Sequence, residues 1–384
     1  MNKTILFVVS FFAANAVWAQ QVSTAAPSKS TEAADKRDTV KQSSLKKGDT
    51  QKTMQPGDDD VEIGGDKIKL QDLYKAYLGV LLESHEVEEK DEAGESVKKF
   101  VGRRVFANSG ADHVLRHNSI LSGRQDENIG SYEKSVFELY DIKGNKLFEK
   151  ELGNLNVAQA WIFKNGTSIV YANEKPDLGV DIDRYQIYDK NGKLLNEILN
   201  TAGLAEWQIA EYKPATKMYV SGFNMSPQAD MGIFTVKVSD KKYKLYKLEP
   251  NGILTDMAEI AGNSPSVVMK SANRIFIFDE EHNGRTAFSG KKYWNNHIMF
   301  FRDSILQWEI TLEAEDFLVK YGGWSKTGKY LIVGYLNEIT WKRNRPLAWK
   351  EYYKVIDIST GKIVAEGLRD DAVIEQYKAE LLPK

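Results

Sequence analysis

Val136-Phe-Glu-Leu-Tyr-Asp-Ile-Lys-Gly-Asn-Lys-Leu-Phe148 reads as a strand, a tight turn and a second strand. Apolar residues alternate up to Tyr140, turn-forming residues run from Asp141 to Asn145, and apolar residues return at Leu147 and Phe148. The same reading recurs in Arg184-Tyr-Gln-Ile-Tyr-Asp-Lys-Asn-Gly-Lys-Leu-Leu195 and in Tyr352-Tyr-Lys-Val-Ile-Asp-Ile-Ser-Thr-Gly-Lys-Ile-Val364. A hairpin repeated at such spacing fixes an architecture before any single residue can be given a chemistry.

Asp141 and Asp189 are 48 residues apart, and Asp189 and Asp357 are 168 apart. The longer interval divides into three steps of 56 and predicts two more copies inside it. Tyr243-Lys-Leu-Tyr-Lys-Leu-Glu-Pro-Asn-Gly-Ile-Leu254 fits the first place, and His297-Ile-Met-Phe-Phe-Arg-Asp-Ser-Ile-Leu-Gln-Trp-Glu-Ile310 fits the second more loosely. A second hairpin type lies between copies, at Trp161–Tyr171, Val267–Phe278 and Trp324–Tyr335. Two hairpins per unit make four strands, the sequence signature of a β-propeller blade. Ser168–Ala172 and Tyr330–Tyr335 are nearly continuously apolar, as strands between two neighbouring blades must be. Tyr185 and Ile187 alternate with Arg184, Gln186 and Tyr188, which predicts an outer strand with one face half wet.

The units resemble the tryptophan-aspartate (WD) repeat propellers across roughly residues 130–368. The likeness is carried by Tyr140-Asp141, Tyr188-Asp189 and Ile356-Asp357, by Thr360-Gly361-Lys362, and by Trp324-Ser-Lys-Thr-Gly-Lys-Tyr-Leu331. The chain lacks that family's Gly-His dipeptide and its Trp at the strand end. The resemblance implies the fold and no function, because propellers host many unrelated activities. The expected class is all-β, a β-propeller of about five four-stranded blades, with six or seven left open and an accessory helix at each end. Leu70, Leu73, Tyr74, Tyr77, Leu78 and Leu81 have helical spacing within Asp66–Glu83, and Val373, Ile374, Tyr377 and Leu381 repeat it after Asp370, a candidate N-cap.

Lys3, the apolar run Ile5–Phe12 and the small residues ending at Ala19 read as a signal peptide over 1–19. Its apolar core is short of the roughly 20 residues that span a bilayer. With no cysteine there is no lipid-anchor site, disulfide or thiolate chemistry, so the expected compartment is the periplasm or the medium. Residues 20–60 contain no aromatic and read as a disordered linker. Residues 61–100 are expected to form a helical segment, 101–369 the propeller and 370–384 the closing helix. Formal net charge is −2, so no global basic footprint points to nucleic acid, and no segment is expected to span a membrane.

Each candidate for chemistry has a plainer rival. The Asn-Gly pairs at 165–166, 191–192, 251–252 and 283–284 suit type I′ turns, in which both central residues take positive φ. Asp189-Lys-Asn-Gly192 starts like a calcium loop, but continues into Lys193-Leu194-Leu195 without the further carboxylates such a loop needs. Asp177, Asp181 and Asp183 could meet a Ca²⁺ ion or simply face water. His113 and His117 have the spacing of a helical zinc pair, with Val114 where a catalytic Glu would stand and no third ligand evident. Glu280-Glu281-His282 at a loop mouth reads as solvated side chains. There is no nucleophile elbow, Walker loop or dinucleotide fingerprint, so no catalytic residue, cofactor or metal is assigned.

Two insertions are left over. His282–Asn296 carries Arg285, Lys291, Lys292, Tyr293 and Trp294, and Thr340–Tyr353 carries Trp341, Lys342, Arg343, Arg345, Trp349, Tyr352 and Tyr353. Basic groups interleaved with rings suit a protein or an anionic polysaccharide, through charge pairing and stacking, while the plainer reading packs the rings on the next blade. The candidate ligand-binding set is Arg285, Lys292, Trp294, Trp341, Arg343, Arg345 and Trp349. The first expectation is an exported, non-enzymatic propeller that binds a protein or polymer partner. The rival is a carbohydrate hydrolase or lyase with carboxylates in the propeller funnel.

Overall fold

The computed structural model describes residues 60–381, apart from 74–78, 91–93, 95, 109, 111, 123–130, 154, 175–181, 213–215, 263–264, 283–293, 313–316 and 343–344. The leader over 1–19 and, apart from Asp60, the linker over 20–60 lie outside the described residues. A hairpin of β1 (Asp60–Ile63) and β2 (Asp66–Lys69) leads into α1 (Leu70–Leu73). Blade 1 is a five-stranded sheet of β3 (Val80–Lys90), β4 (Ser96–Ala107), β5 (His113–Ser122), β6 (Ser131–Asp141) and β7 (Lys146–Gly153). Blade 2 contains β8 (Asn156–Ile162), β9 (Ser168–Glu174), β10 (Ile182–Tyr188) and β11 (Leu194–Asn200), and after α2 (Glu206–Glu211) the short β12 (Thr216–Met218) joins β11 in parallel. Blade 3 is β13 (Val220–Met225), β14 (Gly232–Ser239), β15 (Lys242–Leu248) and β16 (Leu254–Ala261). Blade 4 is β17 (Ser266–Ser271), β18 (Arg274–His282), β19 (Trp294–Arg302) and β20 (Ile305–Leu312). Blade 5 is β21 (Phe317–Trp324), β22 (Tyr330–Lys342), β23 (Arg345–Asp357) and β24 (Ile363–Leu368), followed by α3 (Asp371–Ala379). The strands of every blade are consecutive in sequence, as the repeated hairpins require.

Both degenerate copies are third-to-fourth-strand hairpins: β15–β16 in blade 3 and β19–β20 in blade 4. Among the described residues there are five blades. The turns differ from the expected type. Gly192 donates to Asp189 O at 3.0 Å and has φ +81°, while Asn191 is not among the residues with positive φ. Such a turn is type I with a left-handed glycine at its fourth position, the geometry that a glycine bulge gives a hairpin. Gly166 and Gly252 repeat it, with φ +88° and +83°. The type I′ geometry appears where no Asn-Gly occurs, at Asp303 and Ser304, with φ of 51° and 65°.

The alternation at Arg184–Tyr188 does not mark a wet face. That segment is a third strand covered on both sides: Tyr185 and Ile187 join a core shared with Val220, Phe234 and Val236 of blade 3, and Tyr188 joins a core shared with Phe137 and Phe148 of blade 1. Gln186 is buried and satisfied, its amide donating to Glu197 at 3.0 Å and its carbonyl accepting from the Tyr188 hydroxyl at 3.1 Å. The wetter strands are the last of their blades, such as β7 and β24, where exposed residues predominate.

A closed ring gives each blade two blade neighbours, but the end blades here meet caps. On one face of blade 1, Phe106, Leu115 and Leu139 pack on blade 2. On the other, Val105, Ala107, Val114 and Tyr140 pack under Ile63, Ile68 and Leu73 of the hairpin and α1. Arg103 Nη1 meets Asp66 at 2.6 Å, and Arg116 lies between Asp66 and Glu138 at 3.4 and 3.6 Å, which fastens that cap. Blade 5 uses Trp324 against Phe276 of blade 4, while Tyr330, Ile332, Tyr353 and Val355 on its opposite face are covered by Val373, Ile374 and Tyr377 of α3. The C-terminal helix forms as expected: Asp370 accepts from the amides of Ala372 and Val373, and Glu380 closes the helix in the left-handed region. Among the described residues the N-terminal helical spacing is realised at Leu70–Leu73, while Asp66–Lys69 and Val80–Lys90 are drawn into strand pairing with β1 and β4; Tyr74, Tyr77 and Leu78 lie outside the described residues.

Candidate ligand-binding end of the blades

Antiparallel connectivity sorts the loops onto two ends. Turns between first and second strands, and between third and fourth strands, share one end, called here the turn end; in blade 1, where β3 is an extra leading strand, that end carries the β4–β5 and β6–β7 turns. Connections between second and third strands, and between blades, share the other, the connection end. The turn end is built from short, self-satisfied turns. Asp141 Oδ1 accepts from the amides of Lys143 and Asn145 at 2.9 Å, and Asp189 Oδ1 repeats this with Asn191 and Lys193. Asp357 accepts from the amide of Ser359 at 2.9 Å and from its hydroxyl at 2.5 Å. These bonds hold the carboxyls of Asp141 and Asp357 below the usual carboxylate range: for Asp357 the Ser359 hydroxyl bond is the main cause, and for Asp141 burial, the largest single effect, pushes the other way and is overcome by the Asn145 and Lys143 bonds together. The strand-end aspartates are thus occupied as turn caps.

The two histidines cannot share a metal. They lie on β5, a strand, so four residues separate them by about 13 Å. His117 is buried, its Nε2 2.9 Å from Ser135 Oγ, and burial lowers its pKa to about 4. His113 faces the Gly166 turn of blade 2, and burial lowers its pKa as well. No group of three or more His, Cys, Asp or Glu side chains suited to a metal occurs among the described residues. Asp177 and Asp181 lie outside the described residues, whereas Asp183 is on β10, paired with Asn173.

Both basic-aromatic insertions are second-to-third-strand connections, so they lie on the connection end of adjacent blades. In blade 5, β21 pairs with β22 only as far as Leu336, and β24 pairs with β23 only as far as Tyr352. Beyond these points β22 and β23 continue as a two-stranded ribbon, with no third strand paired to it among the described residues, to the pair Lys342 and Arg345. Trp341 pairs with Pro346 on it. A register shift between Asn337 and Thr340 leaves Trp349 between paired positions, and its side chain is 45% exposed. In blade 4, β18 and β19 extend to the pair His282 and Trp294. Arg285, Lys292 and Arg343 lie outside the described residues.

The connection end carries a further aromatic that the sequence did not signal. Trp207, on α2 between blades 2 and 3, is 65% exposed. Nearby in sequence, the Tyr212 ring lies 4.7 Å from the Arg184 guanidinium carbon. Neither belongs to a repeat or an insertion long enough to stand out.

No protein-family model matches the chain, and no curated protein matches it. Solved structures similar to it include the β-propeller domain of the Trilobed protease from Pyrococcus furiosus, at 10% identity and a TM-score of 0.35, covering 75% of this chain and 70% of that one. An uncharacterized protein from Listeria monocytogenes EGD-e is similar at 10% identity and TM-score 0.34, over 74% of this chain and 69% of the other. A putative TolB from Agrobacterium tumefaciens follows at 12% identity and TM-score 0.26, over 65% of this chain and 77% of the other. The five-bladed fold of this chain stands on its own sheets and their cores.

Proposed function

We propose that this protein is an exported, non-enzymatic binding protein that captures a protein or polysaccharide partner on the connection end of blades 4 and 5. The observation that carries this reading is the two-stranded ribbon of β22 and β23, which has no third strand paired to it among the described residues and bears Trp341, Trp349 and Arg345. Its described side chains at Ala348, Trp349 and Lys350 are exposed, and ordering an exposed aromatic ribbon costs entropy that contact with a partner would offset. The adjacent β18–β19 pair ends at Trp294 on the same end and enlarges the surface. Export is supported by Lys3, the Ile5–Phe12 run and Ala19, and the 20–60 linker would give the propeller reach. No helix among the described residues is long and apolar enough to cross a membrane. The rival hydrolase or lyase needs two acids converging at one mouth, and no observation among the described residues favours it.

Affinity electrophoresis through gels containing polygalacturonate or neutral dextran tests the polymer arm, and pull-down from a periplasmic extract tests the protein arm. The combined Trp294→Ala, Trp341→Ala, Trp349→Ala variant is expected to weaken retardation or capture by at least about tenfold. Equal retention of variant and parent in both assays would remove the site.

A further inference from the structure

We infer that the turn end of blades 4 and 5 holds a site for a phosphate or sulfate group, built from Arg274, Arg302 and Lys329. This is the end opposite the ribbon. Four segments meet there around a cavity of about 190 Å³ lined by Arg274, Arg302, Thr327, Gly328, Lys329 and Ser359, with Ile358 at its wall. Arg274 opens β18 after the first turn of blade 4, and Arg302 closes β19 before the second. The two arginines are direct cross-strand partners. Like charges facing one another across a ladder are destabilising, and here neither guanidinium forms an ion pair among the described residues. Lys329 adds a third cation from the blade 5 turn, stacked on the Tyr330 ring at 4.9 Å.

The carboxylates nearby, Asp357 and Glu380, face Lys329 and hold hydrogen bonds of the blade 5 turns, and among the described residues neither forms an ion pair with Arg274 or Arg302. Asp357 caps its own turn through Ser359, and Glu380 accepts from the Thr327 amide and hydroxyl at 2.9 and 2.7 Å. Lys270 stands behind the site over Trp324, its pKa lowered by burial and by Arg274. Gly328, at φ +75°, leaves room for Arg274: a Cβ there would lie 3.0 Å from Nη1. Two facing guanidinium groups with no ion-pair partner among the described residues, and Lys329 beside them, match a compact oxyanion that two guanidinium forks can bind in bidentate fashion.

The test is isothermal titration and thermal unfolding with inorganic phosphate, inorganic sulfate, methyl phosphate and acetate, with chloride holding ionic strength constant. Phosphate and sulfate stabilise proteins generally by exclusion, so only a saturable response counts. Phosphate or sulfate is expected to bind saturably and more tightly than acetate. The Arg274→Gln, Arg302→Gln variant should raise Kd at least about tenfold, and Lys329→Gln should weaken binding by less. Lys242→Gln, at a blade 3 ion pair, should leave it unchanged. In anion-free buffer the double variant should unfold no earlier than the parent, because the facing charges are gone. Binding of methyl phosphate in place of the free ion would assign an esterified group to the same site. Absence of saturable binding by the parent, or equal Kd in the double variant, overturns the assignment.

Discussion

Phe276→Ala is expected to lower unfolding free energy by about 3–5 kcal/mol in urea denaturation. Phe276 is fully buried at the joint between blades 4 and 5. Its ring centroid lies 4.5 Å from Phe300, 4.4 Å from Trp324 and 6.0 Å from Trp308, so one truncation opens a cavity against three aromatic neighbours. The joint is tied by a polar contact too: Trp308 Nε1 donates to Ile358 O at 2.8 Å. Gly361, at φ +71°, makes room for that indole, since a Cβ there would come within 2.7 Å of Trp308 Cγ. Phe276→Leu keeps most of the buried area and should cost less than half as much. A loss below about 1 kcal/mol for Phe276→Ala would mean that the aromatic cluster does not hold the two blades together.

The second large effect is in acid. An imidazole in the unfolded chain takes up its proton near pH 6.5, whereas buried His117 resists until about pH 4. Burial is the main cause, with the Arg104 charge adding to it. Between those values the unfolded state binds a proton that the native state does not, so stability falls as pH drops through that window. About 3 kcal/mol is lost across it; the contribution is complete above pH 6.5 and spent below pH 4. His117→Gln keeps an amide that can reach Ser135 and does not titrate. Its denaturation free energy should therefore fall by about 3 kcal/mol less than the parent's between pH 6.5 and pH 4, and parallel curves would contradict the assignment.

How far the sequence reaches is clearest at individual hairpins. The Asp-turn-Gly pattern at Asp141, Asp189 and Asp357 is legible because the Asp carboxylate and the left-handed glycine act inside one turn. The interval between copies then locates β15–β16 and β19–β20, although Pro250 and the Asp303-Ser304 turn disguise them. The β13–β14 hairpin escaped, since its turn places Ala229 at φ 52° with no Asn-Gly to announce it. β3 was hidden for a different reason. Leu78 and Leu81 extend a helical spacing, and only pairing with β4 makes Val80–Lys90 a strand. At the connection end, the ribbon was visible as an insertion in which basic groups and aromatics interleave. The arginine site was not, because single residues from separate turns carry it and only the packing of blade 5 on blade 4 brings them together.

The central claim is that, among the described residues, the outer face of blade 1 is covered by the β1–β2 hairpin and that of blade 5 by α3. Hydrogen exchange on the Ile374→Asp variant tests it most directly. Ile374 is buried in the contact between α3 and blade 5, and a carboxylate there should undock the helix. The account predicts lost protection in α3 and in β22 and β23 of blade 5, with blades 1 to 3 unchanged. Protection lost equally in blade 1 would mean that blades 1 and 5 close on one another, and would contradict it.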